Sequence, residues 1–159
     1  MKRSIATWNV NSLKVRLPHL LGWLDEVKPD IVCLQELKCE DAAAPRADIE
    51  AAGYHLITHG QKTYNGVAIL SREAPTDVQR NIPGYADAQS RVIAASIAGT
   101  RVVCAYFPNG QAVGSDKYAY KLEWLAALNL WLREELARHP RLILTGDFNI
   151  APDERDTHP

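Results

Sequence analysis

No apolar run in the 159 residues approaches the ~18 residues that a membrane-spanning helix needs. There is no surplus of either charge: 18 Lys+Arg stand against 19 Asp+Glu, a net charge of −1. A chain that held nucleic acid by bulk charge alone would be basic, so any handling of phosphate must be local or through a metal. Cysteine is scarce and odd in number, and the spacing of Cys33, Cys39 and Cys104 fits neither a disulfide framework nor a zinc site. Cys33 and Cys104 lie inside apolar runs, as small core residues do. Internal repeats, linkers and low-complexity stretches are absent. The opening MKRSIATWNV lacks the apolar centre of a signal peptide, because Asn9 and Asn11 interrupt it. Together with the cysteine usage this sets a cytoplasmic location as the expectation.

What is present is the composition of one globular domain, 47% hydrophobic and 23% charged. The pattern predicts alternating strands and helices. Strands are expected at 4–9, 31–35, 54–58, 66–71, 91–97, 101–107 and 141–146. Ala98-Gly99-Thr100 marks a hairpin between two of them. Helices are expected after Asn11-Ser12, near 44–52 with Gly53 as its C-cap, and from about Lys117 to Arg138. Residues 72–90 read as loop, and the chain closes in the polar DERDTHP. The class is therefore α/β. Several strands are continuous apolar runs, the mark of strands covered on both faces. Three helices suffice for one face, so a bare second face is expected, to be filled by missing chain, a partner or self-association.

Three polar segments follow apolar strands directly: TWNVN, LQELK and LTGDFNIAP. Ligands of open α/β sheets gather at the carboxyl ends of strands. Asp147 and Asn149, two apart in extended chain, point the same way, with Phe148 opposed. Glu36 and Asn9 fall at the rims of neighbouring strands. Two carboxylates and two amides form an all-oxygen set that suits Mg²⁺ shared with water and phosphate. The alternative is that Asp147 and Asn149 are Asx-turn residues and Glu36 a surface acid.

TWNVNSL, LQELK, QKTYNGVAILS, YFPNG and LTGDFNIAP, in this order and spacing, resemble exonuclease III, the DNA-repair branch of the endonuclease/exonuclease/phosphatase superfamily. The resemblance spans essentially all of the chain. It implies a four-layer α/β/β/α sandwich of two similar halves, each a mixed sheet arrangement with helices on one face. This chain matches the amino-terminal half as a single unit over 1–159. The other half of such proteins carries an aromatic DNA-contacting loop and a Ser-Asp-His motif whose Asp-His pair polarises the scissile phosphate, and His158 is in the wrong context to replace it.

The resemblance further implies Mg²⁺, with Mn²⁺ as a substitute, held by Glu36 with the aid of Asn9. Asp147 would orient or deprotonate the attacking water, Asn149 would hold the phosphate, and Tyr106 would face it and aid the leaving oxygen. Lys62, Tyr64 and Asn65, with Gln61, form a loop that could touch DNA backbone, and Arg91 falls near DNA. Asn11 is either a neighbour of the site or a helix cap, Lys38 a rim charge, and Trp124 and Trp131 helix-packing residues. The implied reaction is hydrolysis of DNA phosphodiesters: 3′–5′ exonuclease, abasic-site endonuclease or 3′-end cleaning. The implied partner is duplex DNA with abasic sites or 3′ ends. The rival readings are a phosphatase of the same superfamily and an inactive fragment that self-associates or binds DNA.

Overall fold

The computed structural model describes residues 2–158. The strands are β1 (Ile5–Asn9), β2 (Ile31–Gln35), β3 (His55–His59), β4 (Val67–Ser71), β5 (Thr76–Arg80), β6 (Val92–Ile97), β7 (Thr100–Tyr106) and β8 (Leu142–Asp147). The helices are α1 (Leu13–Val27), α2 (Arg46–Ala51) and α3 (Asp116–Arg138). None of the described helices is long and apolar enough to cross a membrane. β1 to β4 form one sheet in the order β1-β2-β4-β3, and β5 to β8 a second in the order β5-β6-β7-β8. Both are mixed: β1 pairs parallel with β2, β7 pairs parallel with β8, and the other neighbours are antiparallel. Each parallel pair is joined through a helix, α1 in the first sheet and α3 in the second, as parallel neighbours require.

The continuous apolar runs are explained by strand parity. On β2, Ile31 and Cys33 face the second sheet, whereas Val32 and Leu34 pack beneath α1 and α2. β4 divides the same way, with Val67 and Ile69 inward and Ala68 and Leu70 toward the helices. In the second sheet Ile93, Ala95, Val102 and Cys104 meet the first sheet, while Val92, Ala94, Val103 and Ala105 pack under α3 against Trp124, Leu128 and Trp131. Four layers, helix, sheet, sheet and helix, therefore exist within this one chain. This corrects the expected bare sheet face. The missing cover is the other sheet, so a face-to-face self-association loses its motive. What remain half-exposed are the edge strands β1 and β8, which lie side by side.

Two further differences concern local signals. β5 forms within residues read as loop. It is a mostly exposed edge strand with a register irregularity between Thr76 and Gln79, and so shows no apolar pattern. The cap of α1 is Ser12, whose Oγ accepts the N–H of Val15 at 3.4 Å, and not Asn11. α3 begins at its own cap, Ser115 Oγ accepting from the N–H of Tyr118 at 3.1 Å. The 98–100 hairpin forms as expected, with Ala98 and Gly99 both at positive φ.

Gly146 has φ 147° and pairs with Ala105 in the β7–β8 ladder. A Cβ there would stand 1.8 Å from the Ala105 carbonyl oxygen. Only glycine lets β8 approach β7 this closely, one residue before Asp147. Gly146→Ala should cost about 2–3 kcal/mol by forcing the two backbones apart, measurable by urea denaturation. A loss below about 0.5 kcal/mol would contradict this close packing.

Candidate active site

The carboxyl ends of β1, β2, β7 and β8 meet at one corner of the sandwich. Asn9 ends β1, Glu36 follows β2, Tyr106 ends β7 and Asp147 ends β8. The Asn9 carboxamide nitrogen donates to Oε2 of Glu36 and, at 3.0 Å, to Oδ2 of Asp147. One amide from the first sheet thus holds a carboxylate of its own sheet and one of the opposite sheet. The Tyr106 phenol stands close enough to Glu36 to feel its negative charge. A cleft of about 640 Å³ opens beside this cluster, lined by Thr7, Asn9, Gln35, Asp147 and Asn149 among others.

Local backbone geometry supports the arrangement. Glu36 (φ 56°), Lys38 (φ 55°), Asn11 (φ 43°) and Asn149 (φ 45°) all occupy the left-handed region, which costs a non-glycine residue on the order of 1–3 kcal/mol. Backbone bonds hold the turn after β2: the N–H groups of Ser12 and Leu13 donate to the carbonyls of Glu36 and Leu37 at 2.9 and 3.0 Å. Those of Leu37 and Lys38 donate to the carbonyls of Gly66 and Asn65 at 3.2 and 3.0 Å. Glu36 is thereby fixed between the start of α1 and the loop before β4. Asn149 is fixed differently. Its own N–H donates to Asp147 Oδ1 at 3.1 Å, its carboxamide to the Phe107 carbonyl at 2.8 Å, and its carbonyl accepts from Lys121 Nζ at 2.8 Å.

All five residues expected to form the centre, Asn9, Glu36, Tyr106, Asp147 and Asn149, are thus brought to the same corner. Asn11 borders it, its N–H on Asn9 Oδ1 at 3.1 Å and its Oδ1 accepting from Lys38 Nζ at 2.5 Å. Lys38 is more than rim charge, since its ammonium is also 3.7 Å from Glu36 Oε1. A second cavity of about 380 Å³ adjoins Tyr106 and is lined by Tyr64, Asn65, Arg91, Asn109, Lys117 and Tyr120, among others. Tyr64 stands 69% exposed at its mouth. Lys62 is exposed on the same loop and does not line the cavity. Arg91 is buried against Tyr106.

Sequence reasoning missed Tyr120, Asn109 and Lys121. Tyr120 was within reach: it lies four residues before Trp124 on the core-facing stripe of α3, at the helix end nearest the strand carboxyl termini.

The donor set fits a hard cation. Two carboxylates converge, and among the described residues no group of three or more His, Cys, Asp or Glu side chains gathers anywhere. Mg²⁺ takes one or two carboxylates and keeps water and phosphate for the rest. Glu36, only partly exposed and firmly turned, is the residue best placed to hold it. The Asn9 oxygen is engaged by the Asn11 N–H, so as it stands Asn9 aligns the two acids. To act as a second ligand its carboxamide would have to turn over.

Burial pushes the Tyr106 phenol above the ordinary tyrosine value, and the negative charge of Glu36 adds to this. Tyr54, Tyr85 and Tyr120 are raised too, burial again being the largest cause. A raised phenol stays neutral and can donate a hydrogen bond throughout the neutral range. The stability linked to these groups is complete below the unfolded value near 10 and is lost as pH rises through the higher folded values. Denaturation midpoints should therefore hold steady up to about pH 9 and fall above about pH 10, with the tyrosinate absorbance of Tyr54, Tyr85, Tyr106 and Tyr120 appearing together with unfolding. Titration of these four near pH 10 in the folded protein would contradict their raised values.

Known proteins share this architecture. Exodeoxyribonuclease III of Haemophilus influenzae is 33% identical over 156 residues, covering 94% of this chain and 58% of that protein. The solved structure of the Neisseria 3′ phosphatase NExo, bound to a product DNA hairpin, superposes with a TM-score of 0.94 at 49% identity, covering 96% of this chain and 60% of that one. An AP endonuclease from Archaeoglobus fulgidus superposes at 0.93 with 42% identity, covering 99% and 62%. The chain thus spans about three-fifths of the length of these relatives. Residues 6–159 match the model of the Endonuclease/Exonuclease/phosphatase family, and the chain belongs to that family.

Proposed function

We propose that the protein is a Mg²⁺-dependent hydrolase of DNA phosphoesters, acting at 3′ ends, at abasic sites or at both, with its chemistry centred on Glu36 and Asp147. The observation that carries this reading is the Asn9 carboxamide binding both acids at once, beside an open cleft. Two carboxylates converging beside an open cleft suit a hard divalent cation that keeps its other positions for water and phosphate. Bound there, Mg²⁺ would neutralise phosphate charge and stabilise the departing 3′ oxygen. Asp147, its Oδ1 fixed by the Asn149 N–H, is placed to orient the attacking water and accept its proton. Tyr106, kept neutral, retains its phenol proton beside the same oxygen cluster. The Asn149 carboxamide, now on the Phe107 carbonyl, is within the cleft's lining and could exchange that bond for a phosphate oxygen. The second cavity would take the DNA backbone through Tyr64, Asn65 and Arg91.

A narrower version of the reading is favoured by the Neisseria relative, named a 3′ phosphatase: removal of a phosphate monoester from a DNA 3′ end, using the same residues. Both versions concern the whole protein, of which this chain supplies the Glu36–Asp147 centre.

The test is a labelled duplex carrying one abasic site and a recessed 3′ end, beside a duplex ending in 3′ phosphate, with Mg²⁺ or with EDTA. We expect Mg²⁺-dependent product that falls at least about a hundredfold in Glu36→Gln. Equal turnover in EDTA, or in Glu36→Gln, would overturn the metal-centred reading. Hydrolysis of small phosphoesters in preference to every duplex would overturn the DNA substrate.

A further inference from the structure

Arg91 is charged yet only 9% exposed, and a guanidinium so placed needs several partners at once. Its Nε donates to Oε1 of Gln89 at 2.8 Å and its Nη1 to the carbonyl of Tyr106 at 3.2 Å. Its Cζ lies 5.0 Å from the ring centre of Tyr106 and 5.8 Å from that of Tyr120. The guanidinium is thus held between two aromatic rings, in cation–π contact with both. The Tyr120 hydroxyl donates its proton to Oδ2 of Asp87 at 2.7 Å. The other oxygen of Asp87 accepts the N–H of Gln89 at 2.9 Å. One carboxylate therefore organises both groups that grip Arg91: Gln89 on one side and Tyr120 on the other.

The arrangement has a chemical consequence. Tyr120 stands between Asp87 and Arg91, so the carboxylate anchors the clamp without saturating the guanidinium in a direct ion pair. Arg91 keeps N–H donors and positive charge for the cavity it lines with Lys117 and Asn109. A free arginine loses rotamer entropy when it is ordered. Ordering it before the ligand arrives moves that cost out of the binding step.

We propose that Tyr120 and Asp87 are positioning residues that hold the Arg91 guanidinium against Tyr106, so that its free N–H groups meet a DNA phosphate in the cavity beside the Glu36 centre. This rests on the DNA reading above.

The test compares the unaltered chain with Tyr120→Phe, Asp87→Asn and Arg91→Ala. Affinity for a fluorescent recessed duplex is measured in EDTA over a range of salt, and the side-chain Nε–H signal of Arg91 is followed by ¹⁵N NMR. Arg91→Ala should reduce the slope of log affinity against log salt by about one phosphate contact. Tyr120→Phe, which keeps the ring and its packing, should bind about fivefold more weakly, lose most of that same slope, and show the Arg91 signal at the position of a solvent-exposed arginine. Asp87→Asn keeps an acceptor for the hydroxyl and should retain most of the affinity. If the unaltered chain binds while Tyr120→Phe matches it in affinity and in the Arg91 signal, the clamp is overturned and the DNA reading stands. Weaker binding with an unmoved Arg91 signal also overturns the clamp. Failure of the unaltered chain to bind any duplex overturns the DNA reading and the phosphate role of Arg91 with it.

Discussion

The packing of one sheet on the other is the constraint on which the remaining structure depends. Ile31, Cys33, Val67 and Ile69 from the first sheet meet Ile93, Ala95, Val102 and Cys104 from the second. These are small or β-branched side chains, and they let two sheets close to about the 10 Å spacing of a sandwich. The contact aligns the carboxyl ends of β1 and β2 with those of β7 and β8. Without it Asn9 and Asp147, 138 residues apart in sequence, would have no reason to meet. The two βαβ units present their strand ends to one corner, and the polar cluster of Asn9, Glu36 and Asp147 sits where the sheets join rather than on either alone.

At that corner stability gives way to chemistry. Glu36 itself and three polar neighbours, Asn11, Lys38 and Asn149, adopt left-handed backbone, and two carboxylates share one amide. A fold optimised only for stability would contain neither feature. Both are tolerated because the buried strands β2 and β7 anchor this corner and supply the rigidity. Around the two acids the left-handed residues lie in the turns after β1, β2 and β8. The same logic extends outward through Arg91, whose charge is buried only because two aromatic rings, an amide and a carbonyl surround it.

Much of this was legible in the sequence, for definite reasons. β2, β4, β6 and β7 announce themselves as unbroken apolar runs, and such runs mean two covered faces. They do not say whether a cover is a helix or a sheet, so the second sheet within this chain is not legible from them. Asn9, Glu36 and Asp147 were visible because a polar residue directly after a buried strand has few structural uses. Ser12 and not Asn11 caps α1 because the Asn11 side-chain oxygen is taken by Lys38, while Ser12 Oγ reaches the N–H of Val15. β5 was invisible, since an exposed edge strand of Thr76-Asp77-Val78-Gln79-Arg80 carries no hydrophobic period. The clamp on Arg91 was invisible for another reason. Asp87 and Tyr120 are 33 residues apart, and only the tertiary fold gives either a role.

The central claim is that Asn9 joins Glu36 and Asp147 into one cation-binding centre across the two sheets. Its most direct measurement is carboxyl ¹³C NMR of the protein during a Mg²⁺ titration. The bridge predicts that the Glu36 and Asp147 carboxyl signals shift together along a single binding curve, and that Asn9→Leu uncouples them. Signals from both acids that stay still while exposed carboxylates such as Asp153 respond, or that move along unrelated curves, would contradict it.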